Sequence, residues 1–226
     1  MSRHAVALAL QGDRREQAAV FEVRAALWEA FFEESIEAKR TATAALALAG
    51  NREVNYGSAL ALALAGESKQ ADTADDLEKR YPEDTSVRFS YLPVIRAAVA
   101  VQHGDPSKAF AVLQPSIPYE MSSPRSSQTA YFGSLYPVLF RGAAFLAAHR
   151  GSEAAKEFEK ILAHRGIMIG DPVFVLSHLG LARSYALAGE FAKARVEYDK
   201  FFALWKNADA DCPILKRAEA EYRKLR

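Results

Sequence analysis

The sequence predicts an all-α chain of stacked helix pairs, and three observations predict it. Alanine accounts for 43 of the 226 residues, and alanine loses no side-chain entropy in a helix. Larger apolar residues recur at three- and four-residue spacing, the stripe of a helix with one buried face. Glycine followed by a polar residue recurs between these segments, at Gly66-Glu67, Gly104-Asp105, Gly151-Ser152 and Gly189-Glu190. The alternating β-branched runs that mark strands do not occur. Half of the residues are hydrophobic and the formal net charge is +1, the balance of a chain with a core rather than a disordered one. The length suits one or two domains. No composition shift divides it, so residues 1–226 read as a single helical body.

The elements follow in order. A helix over about 3–11 takes in the short apolar run Ala5 to Leu10, which Gln11-Gly12-Asp13-Arg14-Arg15 ends. That run reads as a helix rather than a signal peptide. Helices over 14–32 and 34–48 meet at Glu33-Glu34, a turn without glycine. Helices over 52–65 and 67–81 flank Gly66. A helix over 85–103 follows Glu83-Asp84, with Thr85 as its candidate cap. At Asp105-Pro106 and Asp171-Pro172 the aspartate can cap free amides, and proline suits a first turn where no N–H is needed. These pairs start helices over 106–116 and 172–188. Pro115, Pro118 and Pro124 with five serines make 114–127 the one flexible loop. Helices over 128–149, 152–164, 190–206 and 213–225 complete the chain. Tyr91-Leu92-Pro93-Val94-Ile95-Arg96 echoes Tyr136-Pro137-Val138-Leu139-Phe140-Arg141. In each, the proline either kinks a long helix or marks its true start.

The turns lie roughly 33 to 47 residues apart, and helix–turn–helix units of about 34 residues are the signature of tetratricopeptide repeats. The best unit is Leu181-Ala182-x-x-Tyr185, then Gly189-Glu190-Phe191, then Ala194-x-x-x-Tyr198. These match the repeat's Leu-Gly-x-x-Tyr, its mid-turn glycine and its Ala-x-x-x-Phe. Ala154 and Phe158 after Gly151 repeat the pattern, as do Ala109 and Leu113 after Gly104. The fold expected is therefore a tetratricopeptide-like right-handed α-α superhelix of about five helix pairs plus terminal helices.

Catalytic and metal chemistry finds no motif. The five histidines lack metal-ligand spacing, and His103 and His149 suit helix ends. No Gly-x-Ser-x-Gly elbow or phosphate-binding glycine loop occurs. Cys212 is the single cysteine. It has no histidine nearby, so it reads as a bystander thiol in a reducing compartment. No apolar stretch approaches the ~18 residues of a membrane span. Spread basic residues alternating with glutamates read as ion pairs on helix surfaces rather than a nucleic-acid interface. No enzyme activity, cofactor or metal is expected.

In a stacked array the first helix of each pair lines an inner face where an extended peptide can lie. Counting back from the turns, the exposed inner positions expected are Tyr56, Tyr91, Val94, Gln102, Tyr136, Leu139 and Arg183. Tyrosine and arginine are favoured in hot spots; the alternative for the tyrosines is ordinary packing between helices. Arg96 and Arg141 need carboxylate partners if buried, or bind an anionic tail if they face the groove.

The last 180 or so residues resemble the C-terminal repeat region of large bacterial serine/threonine protein kinases. The residues that carry this are Ala59 to Leu64 with Gly66, Tyr81-Pro82-Glu83-Asp84-Thr85, Tyr91-Leu92-Pro93, Gly104-Asp105-Pro106, Lys160 to Gly166, Leu179 to Arg183, Phe202 to Lys206 and Pro213 to Lys216. The Gly-rich loop, His-Arg-Asp and Asp-Phe-Gly of a kinase domain do not occur. The resemblance implies a regulatory module of a larger bacterial signalling protein, although similar arrays also follow DNA-binding regulatory domains. The expected activity is non-catalytic binding of a protein or peptide, as a monomer or weak homodimer. The expected setting is cytoplasmic, or extracytoplasmic for a fragment of a membrane-anchored kinase. The alternative is a sensory module holding a small ligand where Pro93 and Pro137 open a pocket lined by Tyr91, Tyr136 and Arg141.

Overall fold

Six turns of one design set the layout of the computed structural model, which describes residues 2–67, 70–122, 135–167 and 170–225. At Asp13, Glu33, Gly66, Gly104, His149 and Gly189 the backbone is left-handed, with φ between 56° and 79°. In each turn that residue's N–H bonds the carbonyl three residues back, and the next N–H bonds the carbonyl five back. Gly66 and Glu67 do so to Ala63 and Leu62, at 3.1 and 2.9 Å. The two bonds satisfy carbonyls that a helix end leaves open. Sequence reasoning placed the fifth of these turns at Gly151. The structure puts His149 there, and Gly151 is the first residue of the next helix. Gly151 is small for another reason: a Cβ on it would lie 2.7 Å from the Ser184 carbonyl oxygen.

The described helices are α1 (Ser2–Gln11), α2 (Arg15–Phe31), α3 (Ser35–Leu48), α4 (Arg52–Leu64), α5 (Gln70–Arg80), α6 (Leu92–Gln102), α7 (Pro106–Leu113), α8 (Tyr136–Ala147), α9 (Gly151–Ala163), α10 (Val173–Leu187), α11 (Phe191–Leu204) and α12 (Pro213–Arg223), and the six turns join α1 to α2, α2 to α3, α4 to α5, α6 to α7, α8 to α9 and α10 to α11. No strand occurs among the described residues, and the chain is all-α. No described helix is long and apolar enough to cross a membrane. Asn51 caps α4 through the Val54 amide and Asp105 caps α7 through the Lys108 amide. The cap expected at Thr85 is Asp84 instead, whose carboxylate accepts from the Val87 amide at 3.0 Å.

The two prolines of the echoed segments act differently. Before Pro93 the helix continues but widens into a π turn over Val87–Tyr91, where the Leu92 N–H reaches the Val87 carbonyl. Pro93 has no N–H to give, and its ring would crowd the carbonyl four residues back; the wider turn relieves both. Pro137 sits in the first turn of α8 after left-handed Leu135, so it marks a helix start. The first part of the expected flexible loop is a 3₁₀ helix, Gln114–Tyr119. It leads into buried Glu120, which is held by Arg141 at 2.8 Å and by Lys160. The rest of that loop, from residue 123, lies outside the described residues, as does the predicted helix start at 128.

Helices pair in sequence: α2 with α3, α4 with α5, α6 with α7, α8 with α9 and α10 with α11. The first helix of each pair also packs on the first helix of the next, in the row α2, α4, α6, α8, α10. Small residues allow the close approach: Ala42, Ala59, Ala61, Ala97, Ala154 and Ala194 are fully buried. The tightest crossing is at Phe158 of α9. A Cβ on Gly142 of α8 would lie 2.8 Å from its ring, and one on Gly180 of α10 would lie 2.4 Å from it. One continuous core runs from Ala19 to Leu225.

The two ends of the row meet. The Ile214 N–H bonds the Phe32 carbonyl at 3.4 Å. Phe32 packs edge-on against Trp205 at 4.7 Å, and Arg217 pairs with Glu33 at 2.5 Å.

Gly180→Ala is expected to destabilise the chain by about 2 kcal/mol. Overpacking against Phe158 outweighs the helix propensity gained. Adding Phe158→Leu should recover part of the loss, as read from urea unfolding midpoints.

Candidate functional site

The closure of the row decides which inner positions face solvent. Of the seven nominated residues, five are buried rather than exposed: Tyr56, Tyr91, Val94 and Tyr136 at 1% exposure or less, and Leu139 at 8%. The cause is that opposing segments meet over them. Tyr56 stacks on Tyr91 with ring centroids 3.8 Å apart, and Phe31 of α2 packs edge-on against Tyr136 at 5.5 Å. For these tyrosines the packing alternative describes what is seen.

The hydroxyls of Tyr91 and Tyr136 bond within the chain. Tyr91 donates to Glu53 at 2.7 Å, and Glu53 also accepts from Arg52, which reaches on to Asp84 at 2.5 Å. Burial, with Glu53 alongside, pushes the Tyr91 hydroxyl well above its ordinary range. Burial pushes Asp84 up, but the Val87 amide and Arg52 outweigh it and hold the carboxyl below its usual value. Tyr136 donates to Asp171 at 3.1 Å, and Asp171 also accepts from the Val173 amide. Glu53 and Asp171 escaped sequence reasoning as tyrosine partners. Asp171 carried a signal as a helix cap; Glu53 lies 38 residues from Tyr91 and carried none.

Arg141 is also occupied, by Glu157 at 2.6 Å and Glu120 at 2.8 Å. Arg96 pairs with Glu78 at the surface. Tyr91, Tyr136 and Arg141, the lining expected for a small-ligand pocket, thus bond to groups of the chain itself.

One cleft of about 210 Å³ holds two of the nominated residues. Leu139 and Arg183 line it, with Phe31, Leu64, Phe158 and Ile214 among the other walls. Exposed Gln102 donates to the Leu64 carbonyl at 2.5 Å. The cleft lies where α2, α4, α8, α10 and α12 come together. Its charged residues are Glu33, paired with Arg217, and Arg183, which holds Glu221 through two nitrogens at 2.8 and 3.1 Å. The lining offers apolar contact with two ion pairs beside it. It holds no nucleophile poised against a base.

Other reactive groups are engaged elsewhere. His178 and Glu197 join α10 to α11 at 2.7 Å. The Cys212 sulfur lies 4.0 Å from the Phe32 carbonyl oxygen, and burial pushes its thiol up, away from the reactive thiolate. No group of three acidic, histidine or cysteine side chains able to hold a metal occurs among the described residues. No family model, curated protein or solved structure matches the chain.

Two outcomes follow from the buried polar groups. Tyr91→Ala empties a core position and strips Glu53 of a donor. It should cost about 4 kcal/mol, read as a fall in the urea midpoint, and so acts on folding rather than on a binding face. For Asp171, burial lifts the carboxyl to about 6 against the pull of the Val173 amide and Tyr136. An unfolded carboxyl titrates near about 3.9, so the folded chain holds this proton more tightly. The stabilisation from protonated Asp171 is complete below about pH 4 and lost as pH rises through about 6. Asp171→Asn keeps the acceptor without the charge. Its melting temperature should match or exceed wild type at pH 7.5, with the difference vanishing or reversing by pH 4.

Proposed function

We propose that the chain is a non-catalytic, tetratricopeptide-like scaffold that binds a segment of another protein at the cleft beside Leu139 and Arg183. The observation that carries this reading is the cleft's composition. An apolar floor with Glu33 and Arg183 beside it suits the side chains of a peptide, which bury apolar area while rim charges fix register. On this reading the five pairs form a right-handed superhelix. The six identical turns support it, as do the row of first helices and the buried Ala194 and Tyr198. A preorganised wall loses little entropy on binding, which favours recognition over chemistry.

The sequence resemblance to kinase C-terminal repeat regions supports a regulatory module of a larger bacterial signalling protein. The single buried cysteine supports a reducing, cytoplasmic setting.

The test is selection of binders from a displayed library of random peptides against the full chain. Ala143, a half-buried residue of the cleft, is then replaced by tryptophan to plug it. Ala143→Trp should keep the helical circular dichroism and weaken the selected peptides at least tenfold. Peptides that bind the folded variant as well as wild type would move the binding site elsewhere.

A further inference from the structure

α12 is attached unlike its neighbours. It follows residues 206–211, all exposed, and meets α11 mainly through side chains, Tyr222 packing on Tyr198 and Phe202 with ring centroids 5.7 and 5.6 Å apart. Its polar contacts reach α10 and the end of α2 as well as α11. Glu221 takes both nitrogens of Arg183 on α10 and accepts from the Tyr198 hydroxyl at 2.9 Å, while Arg217 reaches Glu33 at the end of α2. Ile214, Leu215 and Ala218 form a buried stripe, and Lys216, Glu219 and Arg223 face solvent. Ile214 is one wall of the open cleft of about 210 Å³.

An amphipathic helix charge-matched on both flanks, with an open apolar cleft beside it, has the features of a bound helical peptide. We infer that α12 is the resident occupant of the binding groove. The partner is an amphipathic helix of the same chemistry that displaces it. That helix carries an apolar stripe, a carboxylate for Arg183 and a cation for Glu33. A residue larger than isoleucine at the position of Ile214 would let it fill the cleft that α12 leaves open. The inference rests on the cleft being the binding site, and it adds the class of partner and the group that competes with it.

The probe is a labelled synthetic peptide of residues 213–225 carrying Ile214→Phe, titrated by fluorescence anisotropy into the full chain. Arg217→Ala/Glu221→Ala loosens the chain's own α12 and is expected to bind the peptide at least tenfold tighter than wild type. Because Glu221 also serves Tyr198, Arg217→Ala alone is measured too. Arg217 is exposed, and its loss should tighten binding severalfold without unfolding. A peptide that also carries Glu221→Ala should lose that gain. On peptide addition to wild type, amide hydrogen exchange should quicken in 213–223 and stay slow in α10.

Equal affinity for wild type and the loosened chains, no binding to any of them, or α12 amides that stay as slow as those of α10 would overturn the inference. So would a loosened chain that dimerises and excludes the peptide, since the groove would then belong to a second copy. If Ala143→Trp abolishes binding of the selected peptides while α12 fails these tests, the cleft remains the site and only the role of α12 falls.

Discussion

The structure depends on how closely α8, α9 and α10 approach one another, and one ring sets that distance. Phe158 fills the space where Gly142 and Gly180 carry no side chain. Two helices can close on an aromatic ring this tightly only if both present backbone to it. The buried alanines repeat the arrangement along the row with less severe demands. Phe158 also lines the cleft beside Leu139. The packing that fixes the spacing of the last pairs therefore shapes the surface left open to a partner.

The second constraint is closure. An array whose first and last pairs stay apart leaves a long inner wall exposed. Here Phe31 reaches Tyr136, and Phe32 meets Trp205 and Ile214. Most of the wall becomes core. Polar groups on it must then find partners within the chain, because an unpaired buried donor or acceptor is expensive. Tyr91 with Glu53, Tyr136 with Asp171, and Arg141 with Glu120 and Glu157 meet that need. A surface expected to recognise a partner has become an internal hydrogen-bond network.

On the proposed reading, recognition falls to the region that closure does not fill. The cleft is bounded by α2 and α4 on one side and α8 and α10 on the other, with α12 at its edge. Its apolar floor and its paired rim charges favour contact over catalysis. The same ion pairs that hold α12 in place describe what a competing helix must offer.

The amino-acid pattern by itself determined the helices and their pairing. Alanine-rich stripes and breaks at Glu33, Gly66, Gly104 and Gly189 are local signals, and local backbone preference is enough to act on them. It also picked out Leu139 and Arg183, which line the cleft, although Leu139 is buried rather than exposed. It misread the turn at Gly151 because a glycine can be required by close packing as well as by a left-handed backbone. The left-handed residue there is His149, which carries no compositional signal. Only the tertiary structure decided that Tyr56, Tyr91, Val94 and Tyr136 are core. Tyr136 is covered by Phe31 of α2, and Tyr56 by Tyr91 of the next pair, so their burial depends on the summed rotation of the packed pairs. No single stretch of sequence encodes that sum, and small changes at each crossing accumulate in it.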